Sequence, residues 1–198
     1  EILCSDWSSD VCSSDLDCIG FMQPLAQHGF SPKGREVTLL GAGGAARAVI
    51  WGLLRAKAGR ITLGVRNPAK AAHLAEEFSA YGEIQVLHWE DGAFADHLAV
   101  TDLLVNTTPL GMYPHVEGMP PVDWAKLKKA ALVYDIIYTP ARTRFLSEAQ
   151  EYGHTIINGE GMLAGQGAAA FALWTGVTPD LALMKHALRE ELAARQGQ

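Results

Sequence analysis

Cysteine is scarce in this chain of 198 residues, and it is unevenly placed. The three cysteines, Cys4, Cys12 and Cys18, lie near the N-terminus, and an odd number cannot pair completely. This pattern excludes a scaffold held together by disulfides. No apolar run is long enough to cross a bilayer, and the first residues lack the basic and then apolar order of a signal peptide. We therefore expect a cytoplasmic protein without a membrane partner.

Basic charge and metal-ligand motifs are also lacking. Lys and Arg number 16 against 22 Asp and Glu, which gives a net charge of −6 and argues against a nucleic-acid partner. The seven histidines have no H-x-x-x-H spacing and the cysteines no C-x-x-C spacing, so no metal site is expected. The absence of G-x-S-x-G argues against an esterase-type nucleophile. With 48% hydrophobic residues and a mean hydropathy of +0.06, the composition is typical of a globular protein.

The first 16 residues differ in character from the rest of the chain. They are rich in Ser and Asp, contain a near repeat and have no helical or strand period, so we expect no regular structure there. Residues 6–16, DWSSDVCSSDL, are similar to one reading frame of a common sequencing-library adapter. We therefore interpret 1–16 as an artefact leader and 17–198 as the folded domain.

From residue 20 onward, strand and helix periods alternate along the chain. Apolar runs predict six strands, at 37–41, 61–65, 84–89, 102–107, 132–138 and 155–158. Amphipathic spacing predicts helices near 20–30, 44–57, 68–80, 92–99, 123–130, 142–152, 161–175 and 179–195. Such alternation forms right-handed βαβ units. The sequence therefore predicts an α/β fold, a doubly wound parallel sheet with two C-terminal helices.

A glycine-rich loop follows the first predicted strand. Residues 41–46 read GAGGAA and fit the pattern G-x-G-x-x-A. In this pattern Gly41 permits the tight turn, Gly43 lets backbone N–H groups approach a pyrophosphate, and Ala46 allows close packing of helix on strand. The start of the next helix adds free N–H donors. This placement predicts a dinucleotide-binding domain of Rossmann type, with a phosphate loop formed by Gly41, Ala42, Gly43, Gly44 and Ala45.

The end of the second predicted strand indicates which dinucleotide is preferred. Sites for NAD present an acid there for the ribose 2′-hydroxyl, whereas sites for NADP present a basic residue. Residues 65–70 read VRNPAK and contain no acid. Arg66 can form paired hydrogen bonds with a 2′-phosphate, and Lys70 adds positive charge. The sequence therefore favours NADP as the cofactor.

These features, in this order, resemble the NADP-binding portion of the shikimate dehydrogenase family. Besides the glycine loop, five segments are similar to family motifs: DCIGF at 17–21, VRN at 65–67, NTTPLGM at 106–112, DIIYTP at 135–140 and NGEGMLAGQ at 158–166. The resemblance covers residues 17 to about 179. It implies NADPH-dependent, reversible reduction of 3-dehydroshikimate to shikimate in aromatic amino-acid biosynthesis.

The resemblance also implies roles for individual residues. The glycine loop would hold the pyrophosphate. The adenosine phosphate would be surrounded by Val65, Arg66, Asn67 and Lys70. The nicotinamide nucleotide would be flanked by Thr107, Thr108, Ile136, Gly159 and Met162. The substrate would be contacted by Tyr138, Gln166 and Asp17, and Asp17 would be the catalytic carboxylate.

Several of these residues also fit a purely structural explanation. Tyr138 suits the end of a strand, and Gln166 suits the surface of a helix. Asn106 and Thr107 are residue types that terminate strands, and Met162 suits a core.

The family pairs its catalytic carboxylate with a lysine from a preceding substrate domain, but no lysine precedes Asp17. We therefore expect this chain to lack that N-terminal domain and to be inactive alone. Two alternatives stay open, a quinate/shikimate dehydrogenase that uses NAD and a stand-alone nucleotide-binding regulatory module. Shikimate or 3-dehydroshikimate is the expected partner, and the oligomeric state, including a homodimer, is left open.

Overall fold

The six predicted strands all form, and they join into one parallel sheet. The computed structural model describes residues 10–196, leaving aside the side chains of 10–14 and 195–196. The strands are β1 (Glu36–Leu40), β2 (Arg60–Val65), β3 (Ile84–His88), β4 (Leu103–Asn106), β5 (Leu132–Asp135) and β6 (Thr155–Ile157). Their order is β3-β2-β1-β4-β5-β6, and every pairing is parallel. The predicted doubly wound fold is confirmed.

Seven helices accompany the sheet within the described part of the chain. They are α1 (Asp10–Gln27), α2 (Gly44–Arg55), α3 (Pro68–Phe78), α4 (Gly92–His97), α5 (Arg144–Glu151), α6 (Glu160–Thr175) and α7 (Leu181–Gln196). Local signals set several of their ends. Asn67 caps α3 by accepting a hydrogen bond from the Lys70 N–H at 3.1 Å, and Gly176 ends α6 in the left-handed region with φ of 71°.

Helices cover both faces of the sheet, which explains the continuous apolar runs of its central strands. Successive strand residues point to opposite faces, so Leu39 and Leu40 of β1 lie in two separate cores. One core joins α1, α2, α3 and α6 to the sheet, and the other joins α4 and α5. Thr38 of β1 is buried in the sheet. Its hydroxyl lies 2.8 Å from that of Thr101, so each hydroxyl has a hydrogen-bond partner.

The helix predicted at 123–130 does not form, and turns take its place. The Asp123 carbonyl oxygen accepts from the N–H groups of Lys126 and Leu127, which makes a single turn. The Lys128 N–H then donates at 3.0 Å to the distant carbonyl of Leu98. Because this bond replaces the next helical one, the turn does not continue.

The strand predicted at 132–138 ends at Asp135. The Oδ1 atom of Asp135 accepts a hydrogen bond from the Ile137 N–H at 3.1 Å. A side chain that bonds to its neighbouring backbone competes with the pairing of the strand. The chain therefore leaves the sheet three residues earlier than the apolar pattern predicts.

Helix α1 begins earlier than the helix predicted at 20–30, and it includes residues 10–16 of the expected leader. Residues 1–9 of that leader lie outside the described part of the chain. From Asp17 onward α1 is closely packed: Phe21 stacks on Tyr134 of β5 with ring centroids 5.0 Å apart. A Cβ atom on Gly20 would lie 2.5 Å from the Met162 carbonyl oxygen of α6. Because Gly20 has no side chain, the backbone of α6 can approach the backbone of α1 closely at this point.

Large apolar side chains stay exposed on the last two helices and the loop between them. They are Phe171, Leu173, Trp174, Val177 and Leu183, and Trp174 is 80% exposed. None of the described helices is long and apolar enough to cross a membrane.

Candidate functional site

The sheet opens a crevice where its strand order reverses, between β1 and β4. The connections that follow these two strands run to opposite faces, so their carboxyl ends part. Leu40 is paired with Asn106 at this edge. Its carbonyl oxygen accepts both the Thr107 N–H at 3.0 Å and the Thr107 hydroxyl at 2.8 Å. The two strands are therefore held together up to the point at which the crevice begins.

The glycine loop forms one wall of this crevice. Gly41 has a φ of 106°, and a Cβ atom on it would lie 2.8 Å from Thr108 Cγ2, so only glycine fits. Gly43 precedes α2 and makes no side-chain cap, which leaves the first N–H groups of the helix without a side-chain acceptor. The Cβ positions of Gly43 and Gly44 face open space. Ala46 is fully buried against the sheet. This loop can receive an anion at the start of α2.

The end of β2 adjoins the glycine loop, because the Gly41 N–H donates to the Gly64 carbonyl at 3.0 Å. Val65 is buried, whereas Arg66 and Lys70 are exposed. Among the side chains of residues 15–194, none forms an ion pair or hydrogen bond with Arg66. By contrast, Arg47 on α2 forms an ion pair with Glu77 of α3. Among the side chains that the structure describes, Arg66 is thus a cation without an ionic partner, and it lies beside the loop that can accept an anion.

A buried hydrogen-bond network lies below the ends of β4 and β5. Asn106 is fully buried, and its Nδ2 donates to Asp135 Oδ1 at 3.1 Å. The other oxygen of Asp135 accepts from the Thr143 hydroxyl at 2.6 Å. On the crevice side, Asn106 Oδ1 accepts from the N–H and hydroxyl of Thr108, at 3.0 and 2.7 Å. Thr143 also caps α5, so one network joins three segments.

Burial raises the pKa of Asp135 to about 6, although the hydrogen bonds from Thr143, the Ile137 N–H and Asn106 lower it in part. Asp135 is completely inaccessible to solvent. The sequence motif DIIYTP includes Asp135, but no role was predicted for Asp135 or for Thr143. The sequence signal that could have identified Asp135 is an acid at the end of an apolar strand. Burying a carboxylate there costs free energy unless hydrogen-bond donors surround it.

The start of α6 closes against the end of β5. A Cβ atom on Gly159 would overlap the carbonyl oxygen of Ile136, and the Gly159 N–H donates to the Ile137 carbonyl at 2.9 Å. Ile136 is half-buried beside this contact. Met162 is 7% exposed and belongs to the core, as its structural explanation predicts.

The three residues assigned to the substrate lie on two different parts of the fold. Asp17 is half-buried on α1, one turn before Gly20, and burial raises its pKa. Gln166 of α6 packs at Gly20, where a Cβ atom would lie 3.1 Å from Gln166 Cβ. Asp17 thus lies one helical turn along α1 from the contact between Gly20 and Gln166. Tyr138 follows β5 and is 40% exposed, and within the described residues no hydrogen bond joins it to either.

The described side chains include no cluster that could bind a metal ion. No three His, Cys, Asp or Glu residues of the described part are grouped as metal ligands would be. Cys18, the cysteine that the structure describes, is buried, and burial raises the pKa of its thiol. The chemistry of the crevice is instead that of backbone N–H groups, hydroxyls and an unpaired guanidinium.

The strand order, the glycine loop and the crevice together define a Rossmann-type dinucleotide-binding domain with two C-terminal helices. The family model described as "Shikimate / quinate 5-dehydrogenase" matches residues 24–110. A second, "Shikimate 5'-dehydrogenase C-terminal domain", matches residues 159–189. This chain belongs to the shikimate dehydrogenase family.

Individual relatives agree with the family models. The shikimate dehydrogenase (NADP(+)) of Moorella thermoacetica is 41% identical over 186 residues, covering 92% of this chain and 62% of that protein. Listeria monocytogenes shikimate 5-dehydrogenase, solved with shikimate and NAD, has a TM-score of 0.82 at 29% identity, covering 87% of this chain and 62% of that one. The enzyme from Thermus thermophilus, solved with NADP(H) and shikimate, has a TM-score of 0.75 at 35% identity, covering 89% and 62%. The chain thus spans 62% of the length of the Moorella relative.

Proposed function

We propose that this chain binds NADP(H) in its crevice and forms the cofactor-binding part of a shikimate dehydrogenase, which reversibly reduces 3-dehydroshikimate to shikimate. The observation that carries the proposal is the position of the unpaired Arg66 beside an uncapped glycine loop. NADP(H) carries a pyrophosphate and a further phosphate. The start of a helix can bind the pyrophosphate, and a guanidinium can bind the further phosphate. The names of the relatives support the same cofactor and substrate.

The adenosine half of the cofactor would lie over β1 and β2. Within the loop Gly41–Ala45, the Cβ positions of Gly43 and Gly44 face open space and the first N–H groups of α2 have no side-chain acceptor, which suits a pyrophosphate. Arg66 would pair with the adenosine 2′-phosphate and Lys70 would add a second charge. Val65 and Asn67 would line this part with their backbone, since the Asn67 side-chain oxygen is engaged in capping α3.

The nicotinamide half would lie over β4 and β5, because a dinucleotide spans the point where the strand order reverses. The residues that would flank it are Thr107, Thr108, Ile136, Gly159 and Met162. When bound, NADPH supplies the hydride that reduces the substrate carbonyl. Of these residues, Thr108 and Ile136 border the opening most directly, since Met162 is in the core and the Thr107 hydroxyl is bonded to Leu40.

The substrate would lie against Tyr138, Gln166 and Asp17. The exposed Tyr138 hydroxyl and the Gln166 amide can orient hydroxyl groups of a polyhydroxylated acid. Asp17 would hold the reacting hydroxyl by a hydrogen bond. Its burial raises its pKa, which brings the carboxyl nearer to the range in which a proton can be shared with that hydroxyl.

The alternative is an NAD-dependent enzyme, and the NAD complex of the Listeria relative favours it. Against it stands the end of β2, which carries Arg66 where an NAD site presents an acid. The two proposals differ in the contribution of one guanidinium to binding. That contribution can be measured directly.

Fluorescence titration of the chain with NADPH and NADH tests the proposal. The variant Arg66→Gln removes the charge, and Arg55→Gln is the matched control, because Arg55 is an exposed arginine at the opposite end of α2. We expect Arg66→Gln to weaken NADPH binding at least about tenfold, the loss of one charge-assisted hydrogen bond. NADH binding and the control should change little.

Equal losses for NADPH and NADH would contradict the 2′-phosphate assignment. Tighter binding of NADH than NADPH by the unaltered chain would favour the NAD-dependent alternative. If the chain binds neither dinucleotide while remaining folded by circular dichroism, the proposed function is wrong.

A further inference from the structure

One buried carboxylate holds together the segments that border the nicotinamide half of the crevice. Asp135 is the last residue of β5 and has no exposure to solvent. Three donors surround it: the Thr143 hydroxyl at 2.6 Å, the Ile137 N–H at 3.1 Å and the Asn106 amide at 3.1 Å. These donors belong to the start of α5, the loop after β5 and the end of β4.

Through its hydrogen bond to Asn106, Asp135 also influences the loop after β4. Once its Nδ2 is bound to Asp135, the Oδ1 of Asn106 faces the Thr108 N–H and hydroxyl, which it accepts at 3.0 and 2.7 Å. The Thr108 hydroxyl oxygen in turn accepts the Leu110 N–H at 3.3 Å. The conformation of this loop therefore depends on which way the Asn106 amide is turned. Asp135 sets that orientation together with the weaker acceptor at the Leu110 carbonyl, 3.4 Å from Asn106 Nδ2, because a carboxylate only accepts hydrogen bonds and so selects the amide NH₂.

The bonds to Ile137 and Thr143 fix the loop after β5. The Ile137 N–H turns toward Asp135, and the Ile137 carbonyl accepts the Gly159 N–H at 2.9 Å. Ile136 is thereby held against the start of α6, and Tyr138 follows directly. The Thr143 side chain anchors the far end of the same loop, where its oxygen also accepts the Leu146 N–H at 3.3 Å.

The adenosine half of the crevice has its own supports. The Gly41 N–H is bound to Gly64, and Asn67 caps α3. Neither bond involves the buried network. Apart from the bonds of the Thr107 N–H and hydroxyl to the Leu40 carbonyl, the loops over β4 and β5 and those over β1 and β2 are thus held by separate sets of hydrogen bonds.

We propose that Asp135 is a positioning residue, which orients Asn106 and Thr143 so that the loops carrying Thr108 and Ile136 hold the nicotinamide group. The inference rests on the proposed function and deepens it. Asp135 acts through its neighbours and touches neither the cofactor nor the substrate. Its removal should therefore affect the nicotinamide half of the cofactor and spare the adenosine half.

A comparison of two ligands tests this separation. One is NADPH, and the other is 2′-phospho-ADP-ribose, which retains the phosphates but lacks nicotinamide. Isothermal titration with Asp135→Asn should show NADPH binding weakened about tenfold, whereas binding of the truncated ligand should stay within about twofold of the unaltered chain. The fluorescence enhancement of bound NADPH, which reports the surroundings of the nicotinamide ring, should fall as well.

Two further variants separate positioning from folding. Thr143→Val removes the donor at 2.6 Å and should reproduce the selective loss, whereas Thr143→Ser keeps the hydroxyl and should retain NADPH binding. Asp102→Asn is the matched control, because Asp102 is a hydrogen-bonded carboxylate at the opposite end of β4, bound by Lys128 and the Glu36 N–H. It should alter the thermal midpoint but not the ratio of the two affinities.

Several results would overturn the inference. Equal weakening of both ligands in Asp135→Asn and Thr143→Val would show a general structural role. Unchanged binding of both would show no role at all. If Asp135→Asn does not fold, the pair Thr143→Val and Thr143→Ser decides, and equal NADPH affinities for these two would contradict positioning. Absence of any binding by the unaltered chain would overturn the proposed function and this inference together, whereas a loss confined to the variants concerns the inference alone.

Discussion

Gly41 and Thr108 meet across the crevice so closely that a Cβ atom on Gly41 would lie 2.8 Å from Thr108 Cγ2. The contact joins the loop after β1 to the loop after β4. The glycine also has a φ of 106°, which a side chain rarely tolerates. The backbone conformation and the close contact with Thr108 therefore each require glycine at position 41.

The first prediction is that Gly41→Ala destabilises the fold. Backbone strain and the overlap with Thr108 should together lower the free energy of unfolding by at least about 2 kcal/mol. Urea denaturation followed by circular dichroism measures this. An unchanged midpoint would mean that the loop relaxes without cost and that the contact does not restrict it.

The second prediction is that Gly43→Ala spares the fold and impairs binding. Its Cβ would meet no atom within 4 Å and its φ is −90°, so stability should fall by less than about 1 kcal/mol. The added methyl would occupy the space through which a pyrophosphate approaches the backbone. NADPH affinity should fall at least about tenfold. Unimpaired binding would place the phosphates elsewhere.

The third prediction concerns the pH dependence of stability. Burial raises the pKa of Asp135 to about 6 in the fold, so the ionised carboxylate is disfavoured there and its protonation stabilises the folded state. Its contribution to stability should increase as the pH falls from 7 through 6 toward 4. At about 1.4 kcal/mol per pKa unit, the change amounts to about 3 kcal/mol.

Other groups act in the opposite direction and must be subtracted. Burial lowers the pKa of His97 and His154, so acid destabilises the fold at these two positions. The measurement is therefore the difference between the unaltered chain and Asp135→Asn in urea midpoints at pH 4, 5, 6 and 7. If this difference does not vary with pH, the carboxylate is not the titrating group.

The fourth prediction tests the crossing of α1 and α6. Gly20→Ala would place a methyl 2.5 Å from the Met162 carbonyl oxygen and should cost about 1–2 kcal/mol, in spite of the helix preference of alanine. Gly167→Ala is the control, since its Cβ would lie 3.5 Å from the flexible end of Met184. The control should gain up to about 1 kcal/mol. Equal thermal midpoints for the two variants would contradict the close approach of these helices.

The fifth prediction separates binding from turnover. The 198 residues to be tested contain the glycine loop and Arg66, and the residues before Asp17 include no lysine. We expect NADPH binding together with negligible oxidation of shikimate, because turnover needs a bound substrate and a proton donor within reach. An absorbance assay with shikimate and NADP measures turnover. Robust activity would show that the carboxylate and the residues of this chain suffice.

The fold could be predicted from the sequence to the extent that it depends on local pattern. The run VTLLG followed by GAGGAA identifies a buried strand and a helix start within ten residues, and the structure has β1 and α2 at those places. One failure comes from the local bond between Asp135 and the Ile137 N–H, and another from a contact between distant residues. The 123–130 segment has a helical pattern, but the Lys128 N–H donates to the Leu98 carbonyl thirty residues away, and no helix forms there.

The site was predictable to the same extent. Residue types that respond to backbone geometry, such as Gly41 and Ala46, could be placed from the motif. The network of Asn106, Asp135 and Thr143 could not, because spacing along the chain does not reveal which polar groups share a hydrogen bond after folding. Met162 is 7% exposed and lies in the core, because an apolar side chain beside a sheet is buried, and its contact with the cofactor stays a prediction.

The strand order has a consequence for the order of folding. Strands β1, β2 and β3 are neighbours both in the chain and in the sheet, so they can assemble through short connections. Strand β4 must close a loop of more than sixty residues to reach β1, at a greater cost in chain entropy. The crevice exists only after that closure, because its two walls come from either side of it. A ligand held between these walls therefore binds only chains in which β4 has paired with β1, and it stabilises this long-range contact.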